Sequence, residues 1–224
     1  MVLRARQAGP AVIAGGEGAD GQNQGMELRD ALARRRMVRS FTEEAVPPVL
    51  VDELLDRARR APSAGNTQTT AFLVLEGRGE TDRYWDVTLA PARRAGFRWP
   101  ELLRAPVLVI VWCSPGSYVA RYAERDKART GLGRSVDAWN TPYWYVDGGM
   151  VIQNLLLGAV DAGLGACLFG LFEHEQPVRE AFAVPDGWRP LGTVALGHPA
   201  PDDPGRSANR PRPALDQVVH RGRW

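Results

Sequence analysis

Residues Val107 to Cys113 read Val-Leu-Val-Ile-Val-Trp-Cys, seven consecutive apolar side chains dominated by β-branched residues. Seven residues fall far short of the ~20 that an apolar helix needs to cross a bilayer. A short continuous run of this kind is a strand buried on both faces, because a strand with one wet face would alternate. It requires a sheet covered on both sides, and it belongs at the centre of that sheet. The chain can meet the requirement: 44% of its 224 residues are hydrophobic, enough for one well-filled domain.

The segments around this strand supply the covering layers. Met26 to Arg36 carries Leu28 and Leu32 at i and i+4, the pattern of a short amphipathic helix ending in a basic run. Pro47-Pro48 opens a second helix with Leu50, Leu54, Leu55 and Ala58 on one face, and Pro62 stops it. Val146 to Ala162 is a long, almost uncharged helix central to a core or an interface, ended by Gly163. Ala71 to Leu75, Ala166 to Phe169 and Leu191 to Leu196 read as further strands, with a Pro177-initiated helix between the last two. No 20-to-50-residue repeat occurs, so one mixed sheet flanked by helices, an α+β fold, is the simplest arrangement.

Three stretches do not fit this alternation. Residues 1–25 are rich in Gly, Ala and Gln and are expected to be disordered, or an over-long start preceding Met26. Residues 114–145 are a polar and aromatic excursion placed to act as a lid. Residues 198–224 contain Pro, Arg and Asp with little periodicity, a tail that is either disordered or wrapped around another subunit.

Several function classes lack their signatures. The 28 basic and 26 acidic residues nearly cancel, which gives no global attraction to nucleic acid or a membrane surface. Cys113 and Cys167 lie in separate apolar runs and read as buried thiols. His174, His198 and His220 have no metal-ligand spacing. Neither Gly131-Leu-Gly nor Gly163-Leu-Gly continues into a dinucleotide fingerprint, and there is no phosphate loop or nucleophile elbow. The N-terminus lacks the regions of a signal peptide, so the expected location is cytoplasmic.

Two polar clusters remain. Arg34-Arg35-Arg36-Met37-Val38-Arg39 concentrates planar guanidinium donors, matched to a phosphate or else a solvated basic helix end. Ala61-Pro62-Ser63-Ala64-Gly65-Asn66-Thr67-Gln68 places two amides before a strand, able to donate to and accept from a flavin or base edge, or simply a turn.

Together these clusters resemble the Arg-Arg-Ser-x-Arg-x-Phe and Ala-Pro-Ser-x-x-Asn-x-Gln motifs of the nitroreductase superfamily. The stretch from Asn154 to Gly165 is similar to that family's core helix and Gly-Leu-Gly turn, and Gly197-His198-Pro199 to its strand-end motif. The likeness covers residues 26–224, with Met37 in place of the usual serine and Thr69-Thr70 in place of Pro-Trp.

The resemblance implies a mixed, mainly antiparallel sheet flanked by helices, a homodimer with the C-terminal tail swapped onto the partner, and FMN sites built from both subunits. By position, Arg35, Arg36, Met37 and Arg39 would hold the flavin, with Arg35 near the phosphate and Arg39 near the pyrimidine edge. A fixed cation at that edge stabilises the reduced flavin. Asn66 and Gln68 would face it from the other subunit. The backbone of Leu168, Phe169 and Gly170 would approach N5, and Arg210 and Arg212 would close on the phosphate. NADH or NADPH and an aromatic acceptor would then share one pocket in a ping-pong cycle, with Trp139, Tyr143 and Trp144 offering flat surfaces to a nitroaromatic or quinone. On this scaffold the sequence leaves open FMN-dependent dehydrogenase, oxidase or dehalogenase chemistry, a non-catalytic flavin-sequestering role, and deazaflavin in place of FMN.

Overall fold

The computed structural model describes residues 25–201, 205 and 208–224; the rest of the 1–25 stretch and part of the tail lie outside them. Four strands form one sheet in the order β1-β2-β4-β3: β1 (Ala71–Glu76), β2 (Val107–Cys113), β3 (Gly165–Phe169) and β4 (Arg189–Gly197). All three strand pairs are antiparallel, and an isolated bridge from Met37 to Ala166 is parallel. β2 sits inside the sheet and is buried at all seven positions.

The alternation of side chains along β2 divides the core in two. Val107, Val109 and Val111 pack with Val194 and Leu196 of β4 against helices α2 (Pro48–Ala58) and α6 (Tyr143–Asp161). Leu108, Ile110 and Trp112 face the other way, against α3 (Gly77–Thr88) and α7 (Glu175–Ala181). Each large side chain buried this way contributes ~1.5–3 kcal/mol of transfer free energy. α2 buries Val51, Leu54 and Ala58 and ends at Ala58, before Pro62 is reached. The long helix α6 starts at Tyr143 and stops where Gly163 takes φ +72°, with Leu164 N–H closing on Ala159 O at 2.8 Å.

The basic run departs from expectation. The first helix, α1, spans Leu28–Arg34, and Arg35 already has extended ψ. The backbone finds a better partner than another helical turn: Val38 N–H donates to Ala166 O at 2.9 Å, and the segment runs beside β3. Arg35, Arg36 and Arg39 therefore project from an extended segment on the sheet edge.

Helix α3 escapes the apolar periodicity because charged residues dominate it, yet it buries Thr81, Tyr84 and Trp85 at i, i+3 and i+4. A short helix, α4 (Pro91–Arg94), follows it. The excursion after β2 is structured. Ser114 caps α5 (Pro115–Ala123), accepting from Ser117 N–H, and three 3₁₀ turns lead from it to α6. The tail ends in a short helix, α8 (Leu215–Val218), whose residues are exposed in the single chain. Among the described residues no helix is long and apolar enough to cross a membrane.

Candidate active site

Two cavities adjoin at Arg39. The first, ≈ 330 Å³, is basic: Arg35, Arg36, Met37 and Arg39 line it together with Gly205, Ala208 and Arg212 of the tail. An extended segment advances about 3.3 Å per residue, so Arg35 to Arg39 stretch along the groove instead of winding around a helix axis. The tail returns to the same place because Phe41 pairs with Pro199, and Ala200 N–H donates to Ser40 O at 3.0 Å. Arg212 meets the first arginines, whereas Arg210 is exposed and does not line this groove.

The second cavity, ≈ 370 Å³, is aromatic, with Trp85, Phe97, Trp99 and Phe169 in its walls, the exposed Phe172 at its border, and Arg39, His174, Tyr84 and Cys167 also in its lining. Trp85 stacks on Phe169 with centroids 5.7 Å apart, and the Arg39 guanidinium lies over Trp99 at 5.2 Å, near the geometry of a cation–π contact. Arg39 also donates to Met37 O at 3.3 Å. Beneath the wall, the Tyr84 hydroxyl shares a 2.8 Å hydrogen bond with Thr193, and burial pushes its pKa up to about 12. The Trp85 indole N–H is buried without a partner, a cost of about 1–3 kcal/mol carried at the cavity wall.

Leu168, Phe169 and Gly170 are brought to this second cavity as a group. The register of Leu168 and Phe169 is set by pairing with β4, and on the other side Met37 Sδ accepts the Leu168 N–H at 3.4 Å. A serine hydroxyl here would be shorter. The thioether reaches the strand and fastens the arginine segment to it.

Asn66 and Gln68 stand apart from both cavities. They share a 2.8 Å hydrogen bond, are exposed, and have φ +55° and +51°. Their loop is held from beneath. The Asp147 carboxylate, 3% exposed, accepts Ala64 N–H at 2.8 Å, and Arg121 Nε donates to Gly65 O at 2.8 Å.

Trp139 and Trp144 are buried among Tyr118, Tyr122 and Cys113, and the Trp139 indole donates to Leu132 O at 3.0 Å. Their flat faces are used in packing the excursion, as the Tyr122–Trp139 centroid distance of 4.6 Å shows. Tyr143 remains exposed. None of the three lines the aromatic cavity of its own chain.

The residues that sequence reading missed are Tyr84, Trp85, Phe97, Trp99, Phe172 and His174. Tyr84 and Trp85 had a signal in the helical spacing with Thr81. Phe97 and Trp99 had none, because they lie in an irregular connection whose position depends on long-range packing.

A curated relative from Methanothermobacter thermautotrophicus, whose name includes NADH dehydrogenase/NAD(P)H nitroreductase, is 28% identical over 83% of this chain and 84% of its own length. The 4-nitrobenzoate reductase of Nocardioides sp. is 29% identical over 87% of this chain and 90% of its own. A Desulfovibrio desulfuricans protein solved in complex with FMN has a TM-score of 0.61 at 23% identity, covering 86% of this chain and 94% of that one. The model of the Nitroreductase family matches residues 32–198, which take in all four strands and the arginine segment but not the tail side of the basic groove, and the chain belongs to that family of oxidoreductases.

Proposed function

We propose that the protein is an FMN-dependent oxidoreductase that takes reducing equivalents from NADH or NADPH and passes them to a nitroaromatic, quinone or related aromatic acceptor. The observation that carries this reading is Arg39, which lines both the basic groove and the aromatic cavity. A phosphate joined to a flat heterocycle needs two such chambers side by side, and the donor set fits. Guanidinium groups of Arg35, Arg36 and Arg212 bind a phosphate through charge-assisted hydrogen bonds. The inner aromatic walls of Trp85, Phe97, Trp99 and Phe169 accept a ring system, and Arg39 puts a fixed positive charge where the two meet.

Bound FMN supplies the hydride chemistry at N5. The protein's part is orientation and field. Arg39 favours negative charge at the ring edge beside it, and its worth rises as the aromatic walls exclude water. The backbone of Phe169 and Gly170 borders the same cavity and supports the ring from the strand end.

The reading includes a homodimer with exchanged tails. Leu215, Val218 and Trp224 are exposed in the single chain, and such apolar groups favour a covering partner. Asn66 and Gln68, on an outward surface, then serve the partner's flavin, and the exposed Tyr143 borders the shared opening, with Trp139 and Trp144 packed behind it. The relatives named for NAD(P)H nitroreductase and 4-nitrobenzoate reductase activity support the reductase over the dehydrogenase, dehalogenase or flavin-sequestering alternatives.

The test is a visible spectrum of the protein reconstituted with FMN, under anaerobic conditions, before and after each pyridine nucleotide. Bleaching followed by recovery on adding a nitroaromatic is expected. A protein that binds FMN but resists reduction by both nucleotides is not a reductase of this kind, and one that binds no FMN overturns the whole assignment.

A further inference from the structure

Phe172 combines features that its own chain does not account for. Its φ is +49°, in the left-handed region, where bulky non-glycine residues are rare because Cβ crowds the backbone. Its side chain is 83% exposed, so no buried contact compensates. It borders the aromatic cavity, and its ring reaches back over the strand end: a Cβ built on Gly170 would lie 2.9 Å from Phe172 Cζ.

The local chain explains how this posture is held. Leu171 is buried, and His174 N–H donates to Leu171 O at 2.9 Å to form the 3₁₀ turn Phe172–His174 that enters α7. The backbone dives to seat Leu171 and must turn sharply to rise again, which throws the Phe172 ring outward over the cavity mouth. Glycine or asparagine would make that turn with less strain. Strained, exposed apolar residues persist where a ligand uses them.

We propose that Phe172 is a specificity-determining residue for the acceptor: its ring lifts from Gly170 and stacks on a planar aromatic compound entering the cavity, which selects flat aromatic acceptors over others. The proposal rests on the functional reading above. An exposed ring turning about χ1 and χ2 needs no backbone movement, and an offset aromatic stack adds affinity beyond area burial.

The experiment uses the full chain with FMN bound and the variants F172G, F172A and F172W. In F172G the thermal midpoint rises by a few degrees as the left-handed strain is relieved, while FMN affinity stays within about twofold. Benzoate, a flat non-reducible probe followed by flavin difference spectra, binds about tenfold more weakly to F172G and F172A, equivalent to ~1.4 kcal/mol. KM for 4-nitrobenzoate rises by a similar factor, KM for ferricyanide does not move, and F172W restores both aromatic readouts.

Four results overturn the proposal: unchanged benzoate binding, equal effects on both acceptors, loss of FMN affinity, which would make Phe172 a cofactor contact, or conversion to a monomer, which would make it a subunit contact. All four leave the FMN assignment standing or address it separately. Failure of the wild-type chain to bind FMN removes both.

Discussion

The Tyr118 hydroxyl donates to Asp147 Oδ2 at 2.7 Å, and the same oxygen accepts the Ala64 N–H at 2.8 Å. One buried carboxylate thus joins three elements: the long helix α6, the excursion helix α5 and the loop that presents Asn66 and Gln68. Burial, with the Asp147 hydrogen bond, raises the Tyr118 pKa, so the phenol stays a donor throughout the neutral range.

Replacing Asp147 by leucine removes the shared acceptor and strands two buried donors. The expected cost is about 2–4 kcal/mol, from two hydrogen bonds and the desolvation of their orphaned partners. Y118F loses a single bond and should cost about 1 kcal/mol. D147N keeps an acceptor oxygen and should fall between wild type and D147L. Urea titrations of the three variants check the order, and a D147L protein as stable as Y118F contradicts it.

The second tie on the same loop depends on pH. Arg121 holds Gly65 O through Nε and pairs with Asp126 through its two terminal nitrogens at 2.8 and 2.9 Å. That pairing lowers the Asp126 pKa to about 2. A carboxylate with a depressed folded pKa stabilises the fold above its unfolded value, and the contribution is lost as pH falls towards the folded value. The protection of the Gly65 to Gln68 amides, taken as their exchange relative to an unstructured chain at the same pH, should therefore fall between about pH 4 and pH 2. D126N should show quickened exchange already at neutral pH and lose this acid step. Identical profiles for the two proteins would show that the pair does not restrain the loop.

How much of this was legible in the sequence depended on range. β2 announced its own burial because seven apolar residues leave no wet face, and Gly163 marked the end of α6 through local backbone geometry. The arginine segment misled locally: its helix former and charges continue the α1 pattern, but its hydrogen bonds go to Ala166, more than a hundred residues on. Trp139 and Trp144 looked available because composition cannot say whether an aromatic residue packs inward or meets a ligand. Met37 carried the opposite lesson. Standing where the family has a serine, it is a sulfur acceptor for Leu168 N–H.

Both cysteines are buried. Burial pushes the Cys113 thiol up to about 12, partly offset by Arg189, so almost no thiolate exists at pH 8. Thiol reagents should label the native protein slowly, at a rate that follows opening of the structure. Labelling in rising urea, compared with unfolding seen by tryptophan fluorescence, checks this. Stoichiometric labelling of a folded protein within seconds would contradict it.

Arg212 offers the sharpest test of the basic groove, because it comes from the tail while Arg35 and Arg36 come from the segment beside β3. If the groove holds a phosphate, Arg212 acts on the phosphate and on little else of the cofactor. R212A should then weaken FMN binding by about 1.5–3 kcal/mol, the range for a hydrogen bond to a charged group, which is roughly ten- to a hundredfold. Riboflavin carries the same ring without the phosphate, and its affinity should change less than twofold, so the FMN-to-riboflavin ratio collapses. R39A should be less selective, because Arg39 also borders the ring cavity, and should weaken both ligands. Raising salt should erode the wild-type preference for FMN and leave riboflavin binding nearly flat. Fluorescence quenching titrations with the two ligands supply all of these numbers. An R212A protein that loses FMN and riboflavin equally would place Arg212 in maintenance of the tail fold, and the phosphate would have to be held by Arg35 and Arg36 alone.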